Sequence, residues 1–180
     1  MQILNYPFYD LSFRASARNR IVLLLLFLVF KSHSQDTVSE LLNIHNSNSV
    51  PYISVQELAM PKTNAVVLDA RELREYKTSH IKEAIYVGFD DFNLEASMQQ
   101  LKNKDEYIVV YCSIGIRSED IAEQLKKVGY TNVKNLYGGI FEWKNNDLPV
   151  YNMNEKVTDS VHTFSKEWCK WLKKGIKVYD

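Results

Sequence analysis

Apolar and polar positions along this chain fall into blocks whose period keeps changing. Four short runs rich in Val, Ile and Tyr read as strands: Ala65–Ala70, Ala84–Gly88, Tyr107–Tyr111 and Val133–Leu136. Between them the period lengthens. Ser54-Val-Gln-Glu57 is a capping box opening a short helix through Met60. Glu72–Lys77 predicts another short helix, and Asn93–Asn103 one that buries Leu94, Met98 and Leu101. Ser118–Val128 places Ile121, Ala122 and Leu125 on one side and closes at Gly129; Gly139–Lys144 is a last helix before Pro149. Strands alternating with helices imply an α/β fold, a mainly parallel sheet with helices on both faces. Ligands of such sheets sit at the carboxyl ends of the strands, where Asp69 and Cys112 stand. The chain shows no internal repeat, so a single α/β domain is expected over residues 51–150.

The two ends read differently. Residues 35–50 are polar and are taken as a linker with one helical turn at Val38–Ile44, Pro51 opening the folded part. In residues 151–180, Val161, Phe164, Trp168, Trp171 and Leu172 recur at near-helical spacing, with Lys166, Lys170, Lys173 and Lys174 between them. This predicts a C-terminal helical extension. It either docks and completes the core or offers a surface helix to a membrane or an envelope protein partner. At the amino terminus, three arginines precede the ten-residue apolar run Ile21–Phe30, and Ser32-His-Ser34 supplies a small-x-small cleavage site before Gln35. Residues 1–34 are therefore expected to be a signal peptide of an exported, periplasmic or secreted protein. The alternative is a retained anchor, although the run is short for a bilayer.

Charge changes the picture only once this segment is set aside. The whole chain has 22 basic and 22 acidic side chains. Residues 1–34 hold Arg14, Arg18, Arg20 and Lys31 against Asp10, so the remainder has 22 − 4 = 18 basic and 22 − 1 = 21 acidic, a net of −3. A mildly acidic body argues against nucleic acid as a partner, since phosphate binding needs a basic face. His33, His45, His80 and His162 show no metal-ligand spacing, and neither a metal nor a cofactor is expected.

The chemistry concentrates at Cys112-Ser-Ile-Gly-Ile-Arg117-Ser118, a loop between a buried strand and an amphipathic helix. A thiol there faces unpaired N–H groups and the positive end of a helix dipole. Five or six N–H groups curling around one sulfur would favour the thiolate, the nucleophilic form. Gly115 suits the tight turn. Arg117 can bind a sulfonate with its fork or pair with a carboxylate and brace the loop. Ser118 is read as a helix cap and a hydrogen-bond donor to sulfur. Ser113, Ile114 and Ile116 add no positive charge.

Cys112, Gly115, Arg117 and Ser118 fill the Cys-x-x-Gly-x-Arg-Ser/Thr pattern, and the loop resembles the active-site loop of the rhodanese (sulfurtransferase) family. Upstream, Asp69-Ala-Arg71, Glu75-Tyr76, His80-Ile81 and Ala84 resemble the family's first signature. Downstream, Gly138-Gly139 and Trp143 resemble its last. The resemblance implies a rhodanese-like fold and sulfur transfer through a Cys112 persulfide. The donor would be a small sulfur compound such as thiosulfate, and the acceptor cyanide or a thiol. It assigns Cys112 as nucleophile, residues Ser113–Ser118 as the substrate loop, and Asp69 and Arg71 as supports. His80 is read as a buried, satisfied histidine rather than a proton shuttle, and Tyr76, Gly138, Gly139 and Trp143 as packing and turn residues.

Three rival readings stand beside it. Cysteine phosphatases separate Cys and Arg by five residues, whereas four, Ser113–Ile116, separate Cys112 from Arg117; the smaller loop suits sulfur better than a phosphoryl group. A binding module that carries sulfur or senses persulfides without turnover is the second. The third is a redox pair of Cys112 with Cys169, the latter otherwise a small apolar residue on a helix.

Overall fold

The computed structural model describes residues 37–179. The expected signal segment, 1–34, lies outside them, and no helix among the described residues is long and apolar enough to cross a membrane. Five strands form the central sheet: β1 (Tyr52–Ile53), β2 (Val66–Asp69), β3 (Ile85–Tyr86), β4 (Ile108–Tyr111) and β5 (Val133–Leu136). Their spatial order is β1-β5-β4-β2-β3, and every pair is parallel. The chain leaves β2 toward one edge and β4 toward the other. The carboxyl ends of these two neighbours, with Asp69 in register with Tyr111, thus flank a topological switch point.

Strand β4 is buried on both faces because its side chains alternate between two apolar layers. Ile108 and Val110 pack with Leu68, Ile121, Ala122 and Leu125, under α4 (Leu94–Gln99) and α5 (Arg117–Lys127). Val109 and Tyr111 face the other way, toward α2 (Val55–Leu58) and α6 (Gly139–Asn145). The remaining helices are α1 (Val38–His45) and α3 (Leu73–Thr78).

Two expectations need correcting. Residues 35–50 do more than link: α1 is closed by a reciprocal Thr37–Glu40 capping box, and Leu42 and Val50 are buried in the core. The expected C-terminal helical extension is not a helix. Residues from Val150 onward form an antiparallel pair, β6 (Val150–Tyr151) with β7 (Val157–Thr158), and a parallel pair, β8 (Ser160–His162) with β9 (Ile176–Val178). A single 3-10 turn, Lys166–Lys170, lies between β8 and β9. The apolar spacing reflects docking of separate short pieces: Val161, Trp171 and Leu172 are buried in the same layer as Trp143, reached from three different local conformations. Thr158 and Thr163 favour extended backbone, and Gly175 at φ +95° turns the chain into β9.

Candidate active site

Cys112 follows directly on β4, at the centre of the sheet, and is 2 % exposed. Its Sγ accepts the Gly115 N–H at 3.1 Å and lies 3.5 Å from the Ser118 hydroxyl. Among the described residues one backbone N–H donates to the sulfur, where the sequence reading expects five or six. Gly115 has φ +115°, and a Cβ there would press on the Leu136 carbonyl, so the turn needs glycine. The Gly115 carbonyl accepts from Asn135 Nδ2 and Asn46 Nδ2, both at 2.8 Å.

Ser118 does not cap the helix. It sits inside the first turn of α5, whose N-cap is Ile116, and its hydroxyl donates to Asn135 Oδ1 at 2.7 Å. One hydroxyl hydrogen thus faces two acceptors. The closer amide oxygen holds it while Cys112 is a neutral thiol, and an ionised sulfur competes for it more strongly.

The loop is braced from below by Glu75 of α3, a residue fully buried in the structure. Arg117 donates to both Glu75 oxygens at 2.8 Å, and Ser113 Oγ donates to Glu75 Oε1 at 3.0 Å. Of the two roles open to Arg117, the fork therefore takes the carboxylate. Burial works to raise the Glu75 pKa, but the Arg117 hydrogen bonds and charge, the Arg71 charge and the Glu72 N–H outweigh it and hold the carboxyl below its usual range. Burial likewise works against the Arg117 charge, and its hydrogen bonds to Glu75, followed by the charges of Cys112 and Glu75, more than restore it. In the sequence Glu75 stands in the family signature with no visible role. A carboxylate among charged neighbours in a short helix gives no sign of its partner 42 positions away.

Asp69 and Arg71 form a buried pair, with Arg71 Nη2 2.6 Å from Asp69 Oδ2 and Nε 2.9 Å from Oδ1. The polar partners of Arg71 are Asp69 and the Ser79 carbonyl, with no loop residue among them. Tyr111 links the pair to the loop: its hydroxyl donates to Asp69 Oδ2 at 2.5 Å and accepts the Ile81 N–H. Burial, then the Asp69 charge, pushes the Tyr111 hydroxyl well above its ordinary pKa. His80 is buried, stacked on Tyr76, with Nδ1 3.1 Å from the Tyr76 carbonyl. On the other side, α6 caps the loop: Ile140 and Phe141 N–H groups donate to the Cys112 and Ser113 carbonyls at 3.0 and 3.1 Å.

A cleft of about 130 Å³ opens over Cys112. The loop lines it with Ser113, Ile114, Ile116 and Arg117, and the C-terminal segment with Phe164 and Trp168. By their spacing alone those two aromatics look like packing or surface residues. Cys169 and Cys112 are both free thiols, and Cys169 Sγ lies 2.9 Å from Thr163 Oγ1. Among the described residues no group of three His, Cys, Asp or Glu side chains is placed to hold a metal ion.

A parallel α/β sheet with one cysteine at the switch point, in a loop running into a helix and braced by an arginine–glutamate pair, puts a thiol where sheets of this kind bind their ligands. The chain belongs to the rhodanese-like domain family, which matches residues 54–146. It is 34% identical over 115 residues to the tRNA uridine(34) hydroxylase of Hamiltonella defensa, covering 54% of this chain and 32% of that protein. It is 31% identical over 101 residues to YrkF of Bacillus subtilis, a protein named for sulfur carriage, covering 54% and 53%. The aligned part thus spans about a third of the one relative and about half of the other. Two solved structures share the fold. The rhodanese-like domain of Anabaena sp. Alr3790 has TM-score 0.52 and 23% identity, covering 59% of this chain and 82% of that one. Thiosulfate sulfurtransferase of Pseudomonas aeruginosa has TM-score 0.51 and 22% identity, covering 68% and 23%.

Proposed function

We propose that this protein transfers sulfane sulfur through a persulfide on Cys112. One observation carries the reading: Sγ lies at the switch point beneath an open cleft, with the Gly115 N–H on it and the Ser118 hydroxyl beside it. The Cys112 thiolate attacks the outer sulfur of a donor such as thiosulfate. A bond forms between Sγ and that sulfur, the donor's S–S bond breaks, and its electron pair leaves with sulfite. The persulfide is then attacked at its outer sulfur by cyanide or a thiol, and the Cys112 thiolate returns. Two half-reactions through a covalent intermediate give ping-pong kinetics. Glu75 and Arg117 hold the loop in place and take no part in bond making. With residues 1–34 read as an export signal, the transfer belongs to a periplasmic or secreted protein.

The test is intact mass of the reduced protein after thiosulfate, and separately after methanethiosulfonate, beside a Cys112→Ala control. Gain of one sulfur, absent from the control and removed by cyanide, is the expected result. No gain from either donor in folded protein overturns sulfur transfer.

A second reading, sulfur carriage to a protein acceptor, is favoured by the relative named for that role. It predicts a loaded Cys112 that cyanide and small thiols discharge slowly and a protein thiol discharges fast.

A further inference from the structure

The family match ends at residue 146, yet two side chains beyond it reach the cleft over Cys112. Phe164 and Trp168 face Ile114 and Ile116 across that space, making its walls largely apolar. Arg117 is the one cation among the lining residues, and its fork is already spent on Glu75 at 2.8 Å through both prongs. A doubly charged inorganic donor therefore meets an arginine that is already neutralised, and would lose water to apolar walls that return nothing for it. An apolar group gains from the same walls. The space is on the scale of one ring, since an apolar cavity of roughly 150 Å³ takes up benzene.

The aromatics are held in position rather than draped over the site. Val161 and Leu172, on either side of them in sequence, are fully buried, and the Thr163 N–H donates to the Val178 carbonyl at 2.7 Å. Phe164 itself is at φ +64°, a left-handed backbone that large side chains seldom adopt. Its N–H donates to His162 Nδ1 at 3.0 Å, and its ring lies 5.2 Å from the Arg117 guanidinium and 5.6 Å from that of Arg74. A phenylalanine 40% exposed, in a disfavoured conformation, beside the nucleophile's cleft is poorly accounted for by packing alone.

We infer that Phe164 and Trp168 are the donor-specificity element of this site, selecting a sulfane donor whose leaving group carries an aromatic or comparably bulky apolar group. The inference rests on the sulfur-transfer reading above. With a thiosulfonate, R–SO2–S⁻, the Cys112 thiolate takes the terminal sulfur. The S–S bond breaks, its electron pair leaves as the sulfinate R–SO2⁻, and R lies against the two rings. With an organic persulfide the leaving group is the thiolate RS⁻. No oxidant or reductant is consumed in either case.

The test compares benzenethiosulfonate with methanethiosulfonate, which share the reacting group and charge and differ in R. The acceptor is cyanide, and each kcat/KM is normalised to that donor's rate with a free small thiol. The full-length protein is expected to favour the aromatic donor about tenfold or more. Phe164→Asn removes the ring while keeping a residue that tolerates positive φ, and Trp168→Ala removes the other. Each is expected to bring the ratio to within about threefold of unity, chiefly through a raised KM for the aromatic donor that exceeds any change with methanethiosulfonate. Should Trp168→Ala fail to fold by circular dichroism, Phe164→Asn decides alone. A normalised ratio near unity in the unsubstituted protein, with persulfide formed from both donors, overturns the inference and leaves sulfur transfer standing. Equal losses for both donors in the variants overturn it too, since they mark a structural role. Persulfide from thiosulfate but from neither thiosulfonate overturns the inference, and absence of persulfide from all three donors overturns both readings.

Discussion

Arg117 illustrates how little a residue's type says about its work until its partner is known. A guanidinium two residues from a glycine in a nucleophile's loop suits anion binding, but here a fully buried carboxylate occupies its fork. Glu75 is thereby the residue on which the loop's position depends, since it also accepts from Ser113. Its carboxyl is held below the ordinary range. Stability from a depressed carboxyl is present above its unfolded value, about 4.3, and is lost as pH falls through the lower folded value. Glu75→Gln should therefore cost about 1.5–3 kcal/mol at pH 7. The gap from the unsubstituted protein should close as pH drops below about 4, read as chemical denaturation midpoints at several pH values. A gap that stays constant with pH would show that Glu75 is not the titrating brace.

At the scale of elements, the loop is a junction where three helices meet. Helix α5 continues out of it, α3 braces it through Glu75, and α6 puts its first free N–H groups on the Cys112 and Ser113 carbonyls. That last contact requires close approach. Gly139 has φ +54°, and a Cβ on it would collide with the Cys112 carbonyl oxygen and stand 2.7 Å from the Ser113 carbonyl carbon. Gly139→Ala is expected to abolish persulfide formation, or lower its rate at least about a hundredfold by displacing the nucleophile, with far-UV circular dichroism largely retained. Normal loading would mean the loop tolerates the shift. A fourth element, α1, reaches the same loop through Asn46 on the Gly115 carbonyl. Its polar composition reads as linker because an asparagine that satisfies a distant buried carbonyl looks, in sequence, like one facing water.

For the molecule as a whole, residues 150–179 are part of the fold and of the site together. Val161, Trp171 and Leu172 complete the apolar layer over α6, and the same segment brings Phe164 and Trp168 to the cleft. Polar contacts pin it: Asn145 Nδ2 donates to the Trp171 carbonyl at 3.0 Å, and Lys144 pairs with Asp159 at 2.6 Å. Leu172→Ala should cost about 2–5 kcal/mol, as for other fully buried leucines, measured by denaturant unfolding in a single transition. A separate low-stability transition, or a change under about 1 kcal/mol, would mark the segment as an independent appendage.

By itself the sequence determined the alternation of strands and helices, the parallel α/β class, the thiol at the end of a central strand and the glycine that its loop requires. These are set by local period, turn chemistry and the few residue types able to do each job, each read from a short stretch of neighbouring positions. Tertiary structure alone decided that Arg117 braces the loop, that Tyr111 carries the Asp69–Arg71 pair to the site, and that α1 docks. It also decided that the tail is short strands and a 3-10 turn instead of a helix, with two aromatics over Cys112. Each of these depends on a partner tens of positions away. A buried charge or ring takes its role from whatever the fold places within a few ångströms, where the loss of water makes that one contact decisive.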